Sequence, residues 1–517
     1  MNLKPLPIGI QTFRDIIHGG FLYVDKTRWI YELIRYPKGV YFLARPRRFG
    51  KSLLISTLDE IFQGQRELFR GLWLYDSPYA WQSHPVIRLD FSRYPSRSAD
   101  ELEGNISVML NRLAEGFQLE PVRGNFGQQF ESLIIQLSRQ QQVVILVDEY
   151  DKPLLDNLEN QAEAVRIRDL LRGFYTVIKS MDAHIRFVFL TGVSKFSRVG
   201  VFSGLNNLND ISLDREYAGM LGITPDELEA FLQPYLPAFA QQEGVDEVTL
   251  LSKIQSWYNG FCFSSDCQAV YNPFSLLLLL QKQAFRNYWF ESGTPAFLIR
   301  LIRQRDYRIE DLSPLTVPEL AFSSYEVEDL QIVPLLFQTG YLTIKGYDPE
   351  FGTYTLGYPN YEVENAFTQH LLGAFIEIEH SLAGSYLWQL VQALQAGNLA
   401  RFFEVLQLFF AGIPYDIQIK RERYYQTIFY LIFKLMGVQI EAETRISRGR
   451  VDAVIQLKQA VYLFEFKLDG SAAEALQQIR QRGYYKPYQA QSQSVFLVGV
   501  NFTTEKGEIT DWLSEQA

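Results

Sequence analysis

The chain contains 517 residues, of which 47% are hydrophobic, and it carries a formal net charge of −10. Its length suits several domains with large apolar cores, and its acidic balance argues against a general, charge-driven nucleic-acid binder. Because no apolar run reaches the roughly 18–20 residues of a membrane span and polar residues interrupt the N-terminus early, we expect neither a membrane segment nor a signal peptide.

The first chemical motif lies between a predicted strand, Gly39–Ala44, and a predicted helix that ends at Phe62. The intervening residues read Arg-Pro-Arg-Arg-Phe-Gly-Lys-Ser, and a strand, a loop with Gly-Lys-Ser and a helix are the setting of a P-loop. Backbone N–H groups around Gly50 would cradle phosphates. Lys51 would reach the β- and γ-phosphates, and Ser52 would ligate Mg²⁺. The segment therefore predicts a site for ATP and Mg²⁺.

This P-loop departs from the usual pattern at Arg45, where the motif has its first glycine. We expect Arg45, Arg47 and Arg48 to add positive charge near the phosphates. Because the loop must turn without that glycine, binding of the nucleotide without its hydrolysis is an alternative to an active ATPase.

A second motif belongs to the same predicted sheet. A buried strand over Val143–Val147 ends in Asp148 and Glu149, and acids at the carboxyl end of a parallel strand lie where α/β sheets bind their ligands. With the P-loop this is a Walker B match, in which Asp148 would hold Mg²⁺ through water and Glu149 would polarise the attacking water as a general base. Strands predicted over Val86–Phe91 and Ile185–Leu190 complete the sheet.

The middle of the chain predicts helices and one compact module. Thr224-Pro225-Asp226-Glu227 has the pattern of a capping box with proline at the first helical position, and it begins a predicted lid helix, Glu227–Pro234. Residues 327–358 predict a helix followed by two strands and a tight turn, the pattern of a winged-helix-like module. Such a module either packs against its neighbours or binds DNA, and we favour packing.

Cys262 and Cys267 are the two cysteines of the chain. They are too few for a tetrahedral zinc site, and the five histidines have no zinc-ligand spacing. We interpret the cysteines as two separate thiols, which are typical of a reducing compartment. We therefore expect a cytoplasmic protein.

The C-terminal part places charged side chains on a predicted β-hairpin, Val451–Leu457 with Ala460–Leu468. Glu465 and Lys467 are two residues apart and point to the same face, and Asp452 lies on the other strand. Two carboxylates suit Mg²⁺, and the metal would make a bound water more acidic. Lys467 would orient that water or stabilise the developing anion. This arrangement suits metal-dependent phosphodiester cleavage, but for the hairpin alone a surface salt bridge between its strands is the favoured alternative. The flanking elements reverse that preference.

Two helices and a strand flank this hairpin. Apolar residues at helical spacing cover Arg421–Met436, a second helix covers Ala472–Arg482, and an apolar strand covers Ser494–Val500. Gln478, on the second helix, is placed to approach a phosphate. The order helix, hairpin, helix, strand is that of an α/β nuclease core.

Stretches at both ends of the chain, and two in its middle, together resemble one known family. They are the P-loop string at 45–52, Asp-Glu-Tyr-Asp-Lys-Pro at 148–153, Trp-Tyr-Asn-Gly-Phe at 257–261, Tyr-Asn-Pro-Phe-Ser at 271–275, and Asp-x12-Glu-x-Lys at 452–467. The chain resembles bacterial proteins that join an AAA-ATPase-like N-terminal domain to a C-terminal domain of the PD-(D/E)XK nuclease superfamily.

This resemblance implies further residues at the nucleotide site. Thr191 resembles the polar sensor residue that AAA-type ATPases place beside the γ-phosphate. Lys195 or Arg198 is a candidate for an arginine-finger-like element that acts on a neighbouring subunit, the alternative being a solvated cation.

The resemblance also implies a further metal ligand at the nuclease site. In the nuclease superfamily a helix ahead of the hairpin often donates another acid, and Glu422 is our candidate, with Glu441 and Glu443 as rivals. The alternative for Glu422 is simple helix capping. The metal would be Mg²⁺ or Mn²⁺, held by Asp452 and Glu465.

We therefore predict an α/β multidomain protein. Its parts are an AAA-ATPase-like P-loop domain at 1–215, a helical lid and winged-helix-like middle region at 216–410, and a PD-(D/E)XK nuclease-like α/β domain at 411–517. Its function would be ATP binding and hydrolysis that controls a Mg²⁺-dependent phosphodiesterase acting on nucleic acid.

An alternative of another class is a signalling or defence ATPase whose nuclease-like domain binds nucleic acid or a partner without cleaving. The expected partners are ATP and DNA or RNA, and assembly into a homo-oligomer is left open.

Overall fold

The structure is a computed structural model that describes most of the chain. The described residues are 3–121, 123–196, 200–289, 296–305, 307, 309–323, 330–376, 380–412, 422–436, 439–440, 444–446, 449–451, 453–457, 460–489, 493–503 and 508–517.

Fifteen strands are named here, in chain order. They are β1 (Gly39–Ala44), β2 (Val86–Asp90), β3 (Val143–Asp148), β4 (Ile185–Gly192), β5 (Asn209–Asp210), β6 (Leu315–Pro318), β7 (Thr343–Asp348), β8 (Thr353–Gly357), β9 (Gln439–Ile440), β10 (Thr444–Ile446), β11 (Gly449–Val451), β12 (Ala453–Gln456), β13 (Ala460–Leu468), β14 (Ser494–Thr503) and β15 (Glu508–Gln516).

The α-helices are numbered in the same way. They are α1 (Phe13–His18), α2 (Thr27–Ile34), α3 (Lys51–Phe62), α4 (Ala99–Gly116), α5 (Phe126–Leu137), α6 (Lys152–Leu155), α7 (Gln161–Ser180), α8 (Pro225–Glu227), α9 (Leu236–Glu243), α10 (Glu247–Tyr258), α11 (Pro273–Lys282), α12 (Ala296–Gln304), α13 (Leu320–Ser323), α14 (Ile332–Thr339), α15 (Tyr361–Ile376), α16 (His380–Gln395), α17 (Leu399–Ala411), α18 (Glu422–Leu435), α19 (Ala472–Arg482) and α20 (Lys486–Gln489).

The N-terminal sheet is parallel and has the strand order β2-β3-β4-β1-β5. Its central strands β3 and β4 are almost continuously apolar and buried, as expected for a parallel sheet covered on both faces. Because all five strands run in the same direction, the loops after β1, β3 and β4 meet at one edge of the sheet. That edge carries the P-loop and the Walker B acids.

The lid begins as predicted. Thr224 and Glu227 form a capping box at the start of α8, each side chain bonding to the other residue's backbone N–H. The predicted helix Glu227–Pro234 is not regular, because the chain continues through a π-helical turn at Leu228–Leu232 and a 3₁₀ turn that contains Pro234. Proline lacks the N–H that an α-helix needs at that position.

The winged-helix-like module consists of a three-stranded sheet in the order β6-β8-β7 with helices α13 and α14. Nearly every residue of α14 is buried, including Leu335, Leu336 and Phe337. A helix with so little exposed surface offers no face to a DNA groove, which favours packing, and the choice between packing and DNA binding stays a prediction.

The C-terminal sheet has the order β15-β14-β13-β12-β9, in which only β13 and β14 are parallel. The predicted hairpin is present as β12 and β13, with Ala453 opposite Phe464. Helix α19 has the bounds that the sequence predicted, because Ser471 and Glu474 form a capping box at its start and Gly483 takes a left-handed conformation at its end.

The contacts divide the chain into two compact units, Met1–Thr294 with Pro314–Val363, and Pro295–Ser313 with Glu364–Ala517. This division differs from the predicted one, because the middle region 216–410 is shared between the units. Helix α17 packs on the C-terminal sheet, where the ring centroids of Phe403 and Trp512 lie 4.5 Å apart. Such pairing of distant aromatic residues has no signal in the local sequence.

The interpretation of the cysteines as separate thiols is wrong, because Cys262 and Cys267 are joined in a disulfide. The thiol argument for a reducing compartment is thereby removed. Within the part of the chain that the structure describes, no helix combines the length and apolar character needed to cross a membrane.

Candidate functional sites

The backbone of the P-loop accepts hydrogen bonds from the loop's own lysine, Lys51. Gly50, at φ +93°, ends the loop in a backbone conformation that favours glycine, and Lys51 is the first residue of α3. The Lys51 ammonium is buried and donates to the carbonyl oxygens of Arg45 and Pro46, both at 3.0 Å. Burial lowers the pKa of Lys51, although nearby acids including Glu149 act against this. The ammonium is thus held directly beneath the loop.

The side chain of Arg45 is buried in the protein, away from the residues that line the cavity at Lys51. This is contrary to our expectation that Arg45 adds positive charge near the phosphates. It is only 1% exposed, and its guanidinium lies 4.1 Å from the ring centroid of Phe263. Three backbone carbonyl oxygens accept its hydrogen bonds, those of Ala44 at 2.9 Å, Ser212 at 2.7 Å and Tyr217 at 3.3 Å. Burial lowers the pKa of Arg45 to about 9, which still leaves it cationic near pH 7. Arg45 therefore holds the start of the P-loop in place through these hydrogen bonds.

The structure brings Ser52, Asp148 and Glu149 together with Lys51. Asp148 is buried, and burial raises its pKa while a hydrogen bond with the Ser52 side chain opposes the rise. A hydroxyl and a carboxylate in contact are a hard oxygen pair of the kind that Mg²⁺ prefers. Glu149 has φ +49°, and a non-glycine residue in that region is uncommon and concentrated at functional sites. These residues therefore fit a nucleotide-bound Mg²⁺.

A cavity of about 470 Å³ lies over these side chains. Its polar wall contains Lys51, Ser52 and Glu149, and its other walls come from the N-terminal segment 7–11 and from α11. A smaller cavity of about 100 Å³ shares Gly50 and Leu53 with it and has a mostly apolar lining. The two neighbouring cavities offer a polar and an apolar compartment.

The ends of β3 and β4 are tied together beside the P-loop. Asp151 is buried and accepts hydrogen bonds from the N–H groups of Val193 at 3.0 Å and Ser194 at 2.6 Å. Burial raises the pKa of Asp151 to about 6. No role was predicted for Asp151 beyond its place in the Asp-Glu-Tyr-Asp-Lys-Pro string, and that string is the available signal. Its position makes it a positioning residue for both loops.

Thr191 and Lys195, which were also predicted at the nucleotide site, each have a partner within the protein. The hydroxyl of Thr191 donates to the carbonyl of Leu43 on β1 at 2.9 Å, and its side chain is fully buried. Lys195 forms an ion pair with Asp210. Their roles as sensor and finger stay predictions, and Arg198 lies outside the described residues.

At the nuclease-like site, β13 and α19 bring together Glu465, Lys467 and Gln478. The Gln478 amide nitrogen donates to the Glu465 carboxylate, and its amide oxygen accepts from the Lys467 ammonium at 2.7 Å. The Lys467 ammonium lies 3.8 Å from the same carboxylate. Glu465 is only 2% exposed, and burial of a carboxylate is costly unless polar partners surround it. One glutamine side chain therefore sets the positions of both charged groups.

Helix α19 reaches this position because β14 carries a glycine. Gly499 pairs with Glu465 across the parallel strands. A Cβ atom at Gly499 would lie 2.2 Å from the carbonyl oxygen of Ala472 and 2.8 Å from the backbone nitrogen of Leu476. The absence of a side chain lets the helix approach the sheet closely enough for Gln478 to bond with Glu465.

The remaining nuclease residues cannot be placed in the same way. Asp452 lies outside the described residues, as do Glu441 and Glu443. Glu422 begins α18, but its side chain is also outside the described part. Among the described residues no three His, Cys, Asp or Glu side chains gather as a metal site would require. The carboxylate of Glu465 supplies one oxygen ligand of the kind that a hard divalent ion prefers.

Comparison with known proteins gives matches at both ends of the chain. Residues 7–202 match the model of a family described as predicted AAA-ATPase, and residues 420–512 match a model of the PD-(D/E)XK nuclease superfamily. The chain is 40% identical over 530 residues to an "Uncharacterized protein in vnfD 5'region" of Azotobacter chroococcum mcd 1, covering 100% of this chain and 99% of that one.

Among solved structures, the chain is similar to the ORC2 protein of Aeropyrum pernix, described as ADPNP-ADP complexes. The sequence identity is 12%, and the match covers 67% of this chain and 92% of that one. The TM-score of 0.26 is too low to carry an argument.

Proposed function

Since the chain belongs to the bacterial AAA-ATPase-like family with a C-terminal PD-(D/E)XK nuclease superfamily domain, we propose that it binds and hydrolyses ATP to control a metal-dependent nuclease. The observation that carries the nuclease part is the contact of Gln478 with both Glu465 and Lys467. The cavity over Lys51 and Ser52 supports the nucleotide part.

In the nucleotide site, the triphosphate occupies the polar cavity and the base occupies the apolar one. The N–H groups at the start of α3 and the Lys51 ammonium bind the phosphates. Ser52 and Asp148 hold Mg²⁺, which neutralises phosphate charge when bound. Glu149 accepts the proton of the attacking water as general base. Thr191, near the end of β4, is the proposed sensor of the γ-phosphate.

In the nuclease site, Asp452 and Glu465 hold Mg²⁺ or Mn²⁺, with Glu422 as a further acidic ligand. A divalent ion bound there lowers the pKa of a coordinated water and offsets charge on the phosphodiester. Lys467 orients the water or stabilises the developing anion, and Gln478 holds the ammonium toward the carboxylate. The substrate is DNA or RNA.

The proposed location is the cytoplasm, where ATP and nucleic acid are both available. The disulfide between Cys262 and Cys267 gives this location no support. In this proposal, ATP turnover acts on the nuclease as a timer or as a switch that controls assembly of the protein. A homo-oligomer is one form of such an assembly.

A cleavage panel tests the proposal. Single- and double-stranded DNA and RNA are incubated with the protein and Mg²⁺ or Mn²⁺, with and without ATP. Lys467→Ala is expected to abolish cleavage and to leave ATP binding unchanged, because Lys467 belongs only to the nuclease site. Lys486→Ala, at an exposed position in the same domain, is the matched control.

Each outcome discriminates between functions. Cleavage that depends on Lys467 and changes with ATP supports the proposal. ATP hydrolysis without cleavage of any substrate, with either metal, favours the alternative of a signalling or defence ATPase. Equal cleavage by Lys467→Ala and the parent protein contradicts the site assignment.

A further inference from the structure

The P-loop holds a second arginine whose surroundings differ from those of Arg45. Arg48 is exposed and lines the polar cavity together with Lys51, Ser52 and Glu149. Its guanidinium carbon lies 4.5 Å from the ring centroid of Phe274, near the start of α11. Arg48 therefore stands at the rim of the nucleotide cavity with its charged group resting on an aromatic ring.

The backbone at Arg48 is left-handed, with φ +67°. For a residue with a Cβ atom this conformation costs roughly 1–2 kcal/mol, and asparagine or glycine usually occupies such positions. Strain of this kind is retained where the surrounding structure enforces it, often at binding sites. Arginine at this position is therefore conformationally less favourable than glycine would be.

The neighbouring backbone explains how the conformation is enforced. The carbonyl oxygen of Arg47 accepts from the indole of Trp289 at 3.2 Å and from the Asn272 side chain at 3.5 Å. Asn272 also caps α11 by accepting from the N–H groups of Phe274 and Ser275. The loop at Arg48 is therefore attached to the beginning of α11, which carries the Phe274 ring.

Arg47, Lys51 and Lys152 also line this cavity, and each of these cations has a partner of its own. Lys51 donates to two loop carbonyls, and Lys152 pairs with Asp156 at 2.5 Å. Within the described ranges no carboxylate forms an ion pair with Arg48. The cavity-lining residues of α11 itself are Pro273, Phe274 and Leu277, which carry no charge. Arg48 is thus a cation available to an incoming anion.

Resting on the proposed nucleotide function, we propose that Arg48 is a terminal-phosphate sensor supplied by the same chain, which moves from the Phe274 ring to the γ-phosphate of bound ATP. A guanidinium binds phosphate oxygens more strongly than it binds an aromatic ring, because the phosphate contact adds charge-assisted hydrogen bonds. ADP lacks the terminal group and leaves the arginine on Phe274.

Equilibrium binding of fluorescent ATP and ADP analogues tests this role. Arg48→Gly removes the guanidinium and relieves the left-handed backbone, so misfolding does not account for an effect. Its affinity for ATP is expected to fall about tenfold, while its affinity for ADP changes by less than about threefold. Arg70→Gly, which removes an exposed arginine paired with Glu67 away from the cavity, is the control and should change neither.

The outcomes separate this inference from the function on which it rests. Equal loss of ATP and ADP affinity in Arg48→Gly overturns the sensor, while loss of all binding in Lys51→Ala upholds the nucleotide site. Failure of the parent protein to bind either nucleotide overturns both.

A mixing experiment tests whether the arginine acts within its own chain. Lys51→Ala chains retain Arg48, and Arg48→Gly chains retain the phosphate-binding lysine. If a mixture releases no more phosphate than Arg48→Gly alone, Arg48 acts in its own chain. Restored phosphate release would show that Arg48 acts on a neighbouring copy and would overturn this part of the inference.

Discussion

The guanidinium of Arg45 lies 4.1 Å from the ring centroid of Phe263, and Arg45 does not line the cavity over Lys51 and Ser52. Phe263 also contacts Phe49 of the same loop, with ring centroids 5.4 Å apart. The residue that breaks the P-loop pattern is therefore a structural anchor. Several experiments can distinguish such anchors from the residues that bind ligands.

Replacement of Arg45 by glycine restores the usual P-loop pattern and is nevertheless expected to destabilise the protein. It removes three hydrogen bonds to backbone carbonyl oxygens, two of them buried, and the contact with Phe263, at a cost of about 3 kcal/mol or more. Urea unfolding of this variant measures the loss. Arg45→Met keeps much of the apolar contact and should lose less stability. An unchanged unfolding midpoint in Arg45→Gly would show that the anchor contributes nothing.

Removal of the Gln478 side chain is expected to slow nucleic-acid cleavage about 10- to 100-fold, since such supporting contacts have effects of this size at metal sites. Without the amide, Lys467 is no longer held at its distance from Glu465. Initial cleavage rates of Gln478→Ala measure the effect. Gln477→Ala, at the adjacent exposed position of α19, is the matched control. Equal rates for both variants would refute the positioning role.

Replacement of Gly499 by alanine is expected to cost about 1–3 kcal/mol of stability, because the new Cβ atom would overlap the backbone of α19. The displaced helix should also weaken cleavage by moving Gln478. Thermal unfolding and cleavage rate are measured together. Gly384→Ala has open space on its helix and should instead gain about 0.5–1 kcal/mol. A stable and fully active Gly499→Ala variant would contradict the close-approach argument.

The buried carboxyl of Asp151 predicts a pH dependence of stability. Burial raises its pKa from 3.8 to about 6, so the folded protein retains this proton more strongly than the unfolded chain. The contribution to stability is present below pH 4 and is lost as the pH rises through about 6. The loss is on the order of 2–3 kcal/mol.

Asp151→Asn tests this, because an amide oxygen still accepts the N–H groups of Val193 and Ser194 without becoming charged. The unfolding free energies of the parent and the variant are compared from pH 4 to pH 7. The variant should gain stability relative to the parent across this interval. Parallel pH profiles would mean that Asp151 does not titrate there.

Loss of the disulfide is expected to destabilise the loop that supports the P-loop. The bond closes a short segment that contains Phe263, and removing it from a loop of this length costs about 2 kcal/mol. The double variant Cys262→Ser, Cys267→Ser should unfold at lower urea and bind ATP more weakly. Treatment of the parent protein with a dithiol should reproduce both changes. A parent protein that titrates as two free thiols before treatment would contradict the disulfide.

Local sequence signals were sufficient for the elements that carry both sites. The bounds of β1 and α19 agree with prediction because alternation, capping residues and a terminal glycine act over a few neighbouring residues. The same holds for the pairing of β12 with β13. Family resemblance added the expectation of an ATPase-like and a nuclease-like domain, and both matched family models agree with it.

Residue types and their spacing predicted the types of elements, the P-loop with its Walker B acids, and the hairpin that carries Glu465 and Lys467. Contacts between distant segments were needed to show that Arg45 is buried while Arg48 lines the cavity, that Cys262 pairs with Cys267, and that Gly499 lets α19 approach Glu465. The reason is physical: a side chain's direction and partners depend on burial and contacts between segments distant in sequence. Residue type and spacing specify the local backbone but do not specify those contacts.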